Sequence, residues 1–175
     1  GSTEYAYNID KILMLFSSFL KIDNNLQLLI FNKNLNNILV ERIKKFNLPN
    51  NKIIVNFYDK ENLNIAINKI DVGLFFANEN YSIKASFPTK IAELLLSGKP
   101  ILCNNINNDV KNLISKNKIG LIHNFNNLNY YDLLKKVKDI AYKKNISNKC
   151  RSIAMKKLSL NYGLSIYNKI YKEII

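Results

Sequence analysis

The sequence predicts a doubly wound α/β domain: a Rossmann-like parallel sheet with helices on both faces and a C-terminal helical cap. Three observations predict it. Short runs such as LQLLIF at 26–31 and DVGLFF at 71–76 are apolar on both faces rather than alternating, as strands covered by helices on each side must be. Segments with apolar residues at helical spacing alternate with these runs from Asn8 to His123. Beyond His123 the periodicity is helical only.

The first helix is expected from Asn8 to Ile22, where Ile9, Ile12, Leu13, Phe16 and Leu20 recur on one face. A strand follows at Leu26 to Asn32, then a helix about Leu35 to Phe46 and a strand at Lys52 to Phe57. The next pair is a helix about Lys60 to Lys69 and a strand at Asp71 to Ala77. Pro88 to Ser97 reads as a helix with firm ends: the fixed φ of Pro88 suits a first turn, and Gly98 and Pro100 stop the run. Strands at Pro100 to Asn104 and Gly120 to His123 flank a helix near Asp109 to Ser115. The cap comprises Tyr130 to Lys143, Ile146 to Lys157 and Asn161 to Ile175. Turns such as NNINND are expected as loops in which Asn adopts left-handed backbone angles.

With 175 residues and 47% hydrophobic content, the chain has the size of one ordinary domain with a core. Its net charge of +13 would suit an anionic partner. Only Arg42 and Arg151 are arginines, however, and the lysines spread over most of the expected helices, as on a solvated surface. No aromatic-basic groove motif accompanies the charge, so nucleic acid is not expected as a partner. What survives is a modest pull toward anionic ligands or lipid. Cys103 and Cys150 stand without a CxxC pattern, and His123 is the lone histidine, so neither a metal site nor a disulfide framework is expected. No apolar run approaches a membrane span and no signal peptide opens the chain. A cytoplasmic location is expected, and the charge is compatible with peripheral contact at the inner face of the plasma membrane.

The chemistry concentrates in Ser82 to Pro100. Ligands of parallel sheets bind at the carboxyl ends of the strands, and the loop Asn78 to Phe87 leaves DVGLFFA at that edge. Free N–H groups at the start of the next helix, with the positive end of its dipole, make an anion site that a diphosphate would fit. Ser82, Lys84, Ser86, Thr89 and Lys90 surround it with further donors. Lys90 and Glu93 fall about 60° apart on the helix wheel and can share a ligand. Glu93 stands roughly 7–8 Å along the axis from Pro88 and leans back toward the helix start. A carboxylate only accepts hydrogen bonds, which suits the vicinal hydroxyls of a ribose. Singly, each residue also has a plainer role, Pro88 and Gly98 as helix punctuation and Lys90 with Glu93 as a solvated pair.

Across most of the chain, the run DVGL at 71–74, SxxxSxPTKxxExxxxGKP at 82–100, Cys103-Asn104 and GLI at 120–122 together resemble bacterial group 1 glycosyltransferases. The resemblance implies one half of a GT-B fold, the C-terminal domain that binds a nucleotide-sugar donor. It implies that Glu93 meets the donor ribose, and that Lys90 with the backbone of Ser86 to Thr89 meets the diphosphate. Gly1 and Ser2, followed by Tyr7, look like the glycine turn after the first strand of such a domain; a Gly-Ser left from cloning would read the same way. The turn at Asn56 to Tyr58 is where the family commonly holds the base, and Phe57 and Tyr58 are equally readable as core and edge residues. Lys33 is a further candidate phosphate contact.

Two departures stand out. Many family members carry a glutamate eight positions before the ribose glutamate, on the transferred sugar, and Ala85 occupies that position. The loop after Cys103 often contains glycine, and here it reads NNINND.

The implied reaction is transfer of a sugar from a nucleoside diphosphate to a hydroxyl of a cell-surface glycan or lipid-linked acceptor, without a metal or other cofactor. The domain is taken to run over 1–175, with an N-terminal acceptor domain as its partner outside this chain, so that the fragment alone is expected to be inactive. Tyr162, Ile166, Tyr167, Ile170, Tyr171 and Ile174 form a stripe on the last helix, expected to pack on its own domain or, as the alternative, to face that partner. Lone His123 is expected to be structural. Other readings of the same observations are a GT-B nucleotide-sugar epimerase, a non-catalytic nucleotide-binding domain, and a basic nucleic-acid-binding module.

Overall fold

The computed structural model describes residues 7–32, 37–78, 80–126 and 129–174, with the backbone alone at Lys60. Gly1, Ser2 and Lys33 lie outside the described residues. The elements in chain order begin with α1 (Ile9–Leu20), β1 (Leu28–Phe31), α2 (Asn37–Lys45) and, after a 3-10 turn at Asn50–Lys52, β2 (Ile53–Asn56). They continue with α3 (Lys60–Asn68), β3 (Gly73–Phe75), α4 (Tyr81–Lys84), α5 (Thr89–Leu96) and β4 (Ile101–Cys103). The chain ends with α6 (Asn108–Asn117), β5 (Gly120–Ile122), α7 (Tyr130–Ala141), α8 (Ile146–Leu158) and α9 (Leu160–Ile174).

Among the described residues the pairs between these strands are parallel and each is joined through a helix, as expected. The described strands form two groups: β1 pairs β2, with Leu28 opposite Ile53, and β3–β4–β5 run in that order, with Gly73 opposite Ile101 and Ile101 opposite Gly120. Helix α1 joins the groups. Ile9, Leu13 and Phe16 pack with Leu28 of β1 and with Leu39 and Ile43 of α2. Leu15 and Phe19, on another side of α1, pack with Phe76, Leu102 and with Leu134 and Val137 of α7.

Strand β4 shows why both-face apolarity was the right signal. Leu102 faces the α1–α7 layer, whereas Ile101 and Cys103 face the opposite layer with Ile91 and Leu95 of α5, Val110 and Ile114 of α6, and Cys150 and Ala154 of α8. Gly120 is required where the strands meet: a Cβ there would lie 2.2 Å from the Ile101 carbonyl oxygen.

Asparagine does more in this fold than bend loops. Asn8, Asn80, Asn107 and Asn129 cap α1, α4, α6 and α7, each side chain accepting from a backbone N–H three residues on, and Asp59 does the same for α3. Left-handed angles occur at Asn47 and Asn145, but Asn107 of the NNINND turn is extended at φ −157°. A helix start needs an oxygen acceptor more than it needs a positive φ.

Helix α9 meets α8 but buries none of its described side chains on its own domain. Ser159 is extended and turns the chain out of α8, and apart from Gly163 every described residue of α9 is exposed. None of the described helices is long and apolar enough to cross a membrane.

Candidate functional site

The segment between β3 and β4 is built by local rules. Strand β3 ends where Ala77 is held by Asn104: the Ala77 N–H donates to Asn104 Oδ1 and Asn104 Nδ2 donates to the Ala77 carbonyl, both at 3.0 Å. The expected loop contains one helical turn, α4, started by Asn80 Oδ1 on the Ile83 N–H. Pro88 then stands one position before α5 rather than inside its first turn, extended at ψ 118°. The helix stops as Gly98 takes φ +78° and the N–H groups of Gly98 and Lys99 return to the carbonyls of Leu95 and Leu94.

No side chain caps α5, unlike α1, α3, α4, α6 and α7. The Ile91 N–H turns back to the Pro88 carbonyl at 3.1 Å, which leaves the N–H groups of Thr89 and Lys90 with capacity for an acceptor and the positive end of the dipole behind them. Lys90 and Glu93 are brought together, Nζ to Oε2 at 3.2 Å, both a little over 40% exposed. A pair so exposed contributes about 0.5 kcal/mol or less to stability, so its release to a ligand costs little.

Tyr7, which the resemblance sets after the glycine turn of Gly1 and Ser2, feels the charges of this pair. An antiparallel bridge to Ala77 sets it beside β3, and its ring meets Phe75 edge-on at 5.3 Å. Burial raises its phenol above the ordinary value, Lys90 pulls the other way, and Glu93 raises it further. The phenol is thus within electrostatic reach of both charged groups at the helix start.

The remaining expected residues divide. The Ser86 carbonyl accepts from Asn107 Nδ2 at 2.9 Å, tying the α5 approach to the start of α6. Lys84 lines a cavity with Lys11 and the 104–109 and 124–126 loops, a neighbourhood not foreseen in the sequence. Thr89 is the exposed first residue of α5, whereas Ser82 is exposed on α4. Phe57 and Tyr58 line a second cavity of about 370 Å³ with Asp59, Asn62 and Ile65. Phe57 is 57% exposed and not a core residue, while Tyr58 packs edge-on to Phe31 at 5.4 Å.

His123 is buried, its ring 4.7 Å from that of Phe125, with Nε2 making no hydrogen bond, and burial lowers its pKa. Cys103 and Cys150 are buried free thiols, pushed up to about 12 and about 11 by burial.

The family model for glycosyl transferases group 1 matches residues 1–157. The chain belongs to that family. No curated protein sequence matches it. Among solved structures, a mutant of S. aureus TarM in complex with fondaparinux, alpha-GlcNAc-glycerol and UDP aligns with TM-score 0.72 at 16% identity, over 98% of this chain and 34% of that one. The GtfA/B complex aligns with TM-score 0.72 at 16% identity, over 99% and 34%. A further TarM structure gives 0.68 at 14%, over 94% and 32%. At such identities the likeness concerns the fold, which is that of GT-B glycosyltransferases. This group 1 chain spans about a third of the length of each structure it matches.

Proposed function

We propose that this chain is the donor-binding domain of a glycosyltransferase that takes a sugar from a nucleoside diphosphate and transfers it to a hydroxyl acceptor of a cell-surface glycan. The observation that carries the reading is the uncapped start of α5 with the Lys90–Glu93 pair one turn inside it, in a chain of the group 1 family. The diphosphate takes the N–H groups of Thr89 and Lys90 at the start of α5, together with the Lys90 side chain. Glu93, released from Lys90, accepts from the ribose hydroxyls. Phe57, exposed on the wall of the second cavity, is the surface on which a base stacks. That TarM was solved with UDP supports a nucleotide in this fold.

The domain's contribution to the reaction is electrostatic. As the bond between the anomeric carbon and the diphosphate breaks, negative charge grows on the leaving oxygen, where the helix dipole and Lys90 lower its energy. These groups give the charge stabilisation that a metal supplies elsewhere, so the reading is of a metal-independent donor site. The acceptor pocket and any acid-base group belong to the partner domain. The reading places the enzyme in the cytoplasm, at the membrane face where lipid-linked acceptors are presented.

Calorimetric titration with UDP, GDP, ADP and CMP tests the site. One nucleotide is expected to bind, with Glu93→Ala and Lys90→Ala each weakening it by about tenfold or more, the loss of one charge-assisted hydrogen bond. Binding of none, or binding indifferent to both substitutions, overturns the reading.

A further inference from the structure

A cavity of about 630 Å³ opens beyond the carboxyl ends of β4 and β5. Its asparagines fall into two groups. Asn104 is committed to Ala77, Asn107 to Val110 and Ser86, and Asn124, whose Oδ1 accepts from the Asn105 N–H, to the neighbouring loop, so these three build the walls. Asn105, Asn108 and Asn126 also line the space, and among the described residues their side-chain amides make no hydrogen bond. An amide presents an acceptor and two donors side by side, the complement of vicinal hydroxyls on a sugar ring.

The charge on the walls is unbalanced. Lys11 and Lys84 line the cavity against the single carboxylate of Asp109, and among the described residues neither lysine is ion-paired. Lys11 Nζ sits 5.2 Å from the centre of the Phe125 ring. Phe125 adopts φ +60°, a costly backbone for a bulky residue, and is wedged against Phe76 at 5.1 Å and His123 at 4.7 Å. The packing thus holds Lys11 on one wall while Lys84 enters from α4. With a neutral sugar the lining keeps two ammonium groups against one carboxylate; an acidic sugar offsets the excess.

We propose that this cavity binds a sugar unit bearing a carboxylate or a phosphate, its anion between Lys11 and Lys84 and its hydroxyls on Asn105, Asn108 and Asn126. The Asn107–Ser86 hydrogen bond sets the cavity against the α5 approach. A sugar arriving on a nucleotide there rests on the donor-site reading, whereas the charge of the cavity does not. The acidic unit has two possible sources, the donor's own sugar or the acceptor's end.

The side-chain amide resonances of the ¹⁵N-labelled chain read the cavity directly. Glucuronic acid and glucose 6-phosphate are expected to move Asn105, Asn108 and Asn126 with roughly tenfold tighter binding than glucose. Lys11→Gln and Lys84→Gln, both at non-core positions, should each reduce that preference to near unity. UDP-glucuronic acid binding more tightly than UDP-glucose assigns the anion to the donor; trigalacturonate binding alongside UDP assigns it to the acceptor. Equal response to glucose and glucuronic acid, shifts confined to residues outside the cavity, or no response to either anion overturns the proposal. The donor reading fails separately, when no nucleotide moves Tyr7, Lys90 or Glu93, and the monosaccharide arms still report on the cavity.

Discussion

Asn104 grips Ala77 from both sides of its peptide, accepting from the N–H and donating to the carbonyl at 3.0 Å in each direction. This ties the loop after β4 to the end of β3, the edge from which the candidate site departs. Asn104 is itself only 5% exposed, so its loss leaves two backbone groups poorly satisfied. Asn104→Ala is expected to destabilise by about 2 kcal/mol, lowering Tm by roughly 4–8 °C at this chain size. Thermal unfolding followed by circular dichroism checks it, and a change under 1 °C would show that the clamp is dispensable.

Gly98 and Gly163 should respond in opposite directions to the same substitution. At Gly98 φ is +78° and an added Cβ would lie 2.2 Å from Ser147 Oγ, so Gly98→Ala is expected to cost roughly 1–3 kcal/mol. Gly163 lies in helix α9 with nothing within 4 Å of an added Cβ, so Gly163→Ala should stabilise α9 by up to ~1 kcal/mol. Ser147→Gly in the Gly98→Ala background should restore only part of the loss, because it relieves the clash and not the backbone. Urea melts of the four chains separate the terms.

The same two glycines mark what the sequence can and cannot disclose. Gly98 followed by Pro100 announced the end of α5, because a left-handed stop is encoded in one residue type. The strands were visible because burial on both faces removes polar residues from a contiguous run. Helix α4 was hidden, since four residues are too few to show a period. The NNINND run predicts left-handed turn residues, although an asparagine side chain such as that of Asn107 serves equally as a helix cap, and only the backbone decides between them. Lys90 with Glu93 was legible from i,i+3 spacing. The place of Tyr7 near them was not, because the bridge that brings it beside β3 joins residues seventy positions apart. Nor was the cavity of Lys11 and Lys84, whose walls come from α1, α4 and two strand-end loops.

His123 gives the fold a defined pH dependence. Burial lowers its pKa below the ordinary 6.5, so the folded chain prefers the neutral ring. The unfolded chain takes up the proton first as pH falls below 6.5, which makes unfolding more favourable there. The stabilisation from a neutral His123 is therefore full above pH 6.5 and is lost as pH falls toward the lowered folded value. His123→Phe should flatten the stability profile between pH 6.5 and that value while leaving the acid limb set by carboxylates. An unchanged slope in urea titrations across this window would assign the dependence elsewhere.

Tyr7 offers a probe of the candidate site that needs no knowledge of the nucleotide. Its phenol is raised first by burial, opposed by the charge of Lys90 and reinforced by that of Glu93. Neutralising each partner should therefore move it in opposite directions: Glu93→Gln lowers its pKa toward the ordinary 10.0, and Lys90→Gln raises it further. A nucleotide whose diphosphate binds at the start of α5 brings negative charge to the same place and should raise it again. Selective ¹³C labelling of tyrosine, with Tyr7→Phe to assign the signal among the ten tyrosines, resolves the titration. Shifts of the same sign in both variants would mean that Tyr7 responds to packing rather than to the charged pair. A nucleotide that binds without moving Tyr7 would place the diphosphate away from α5.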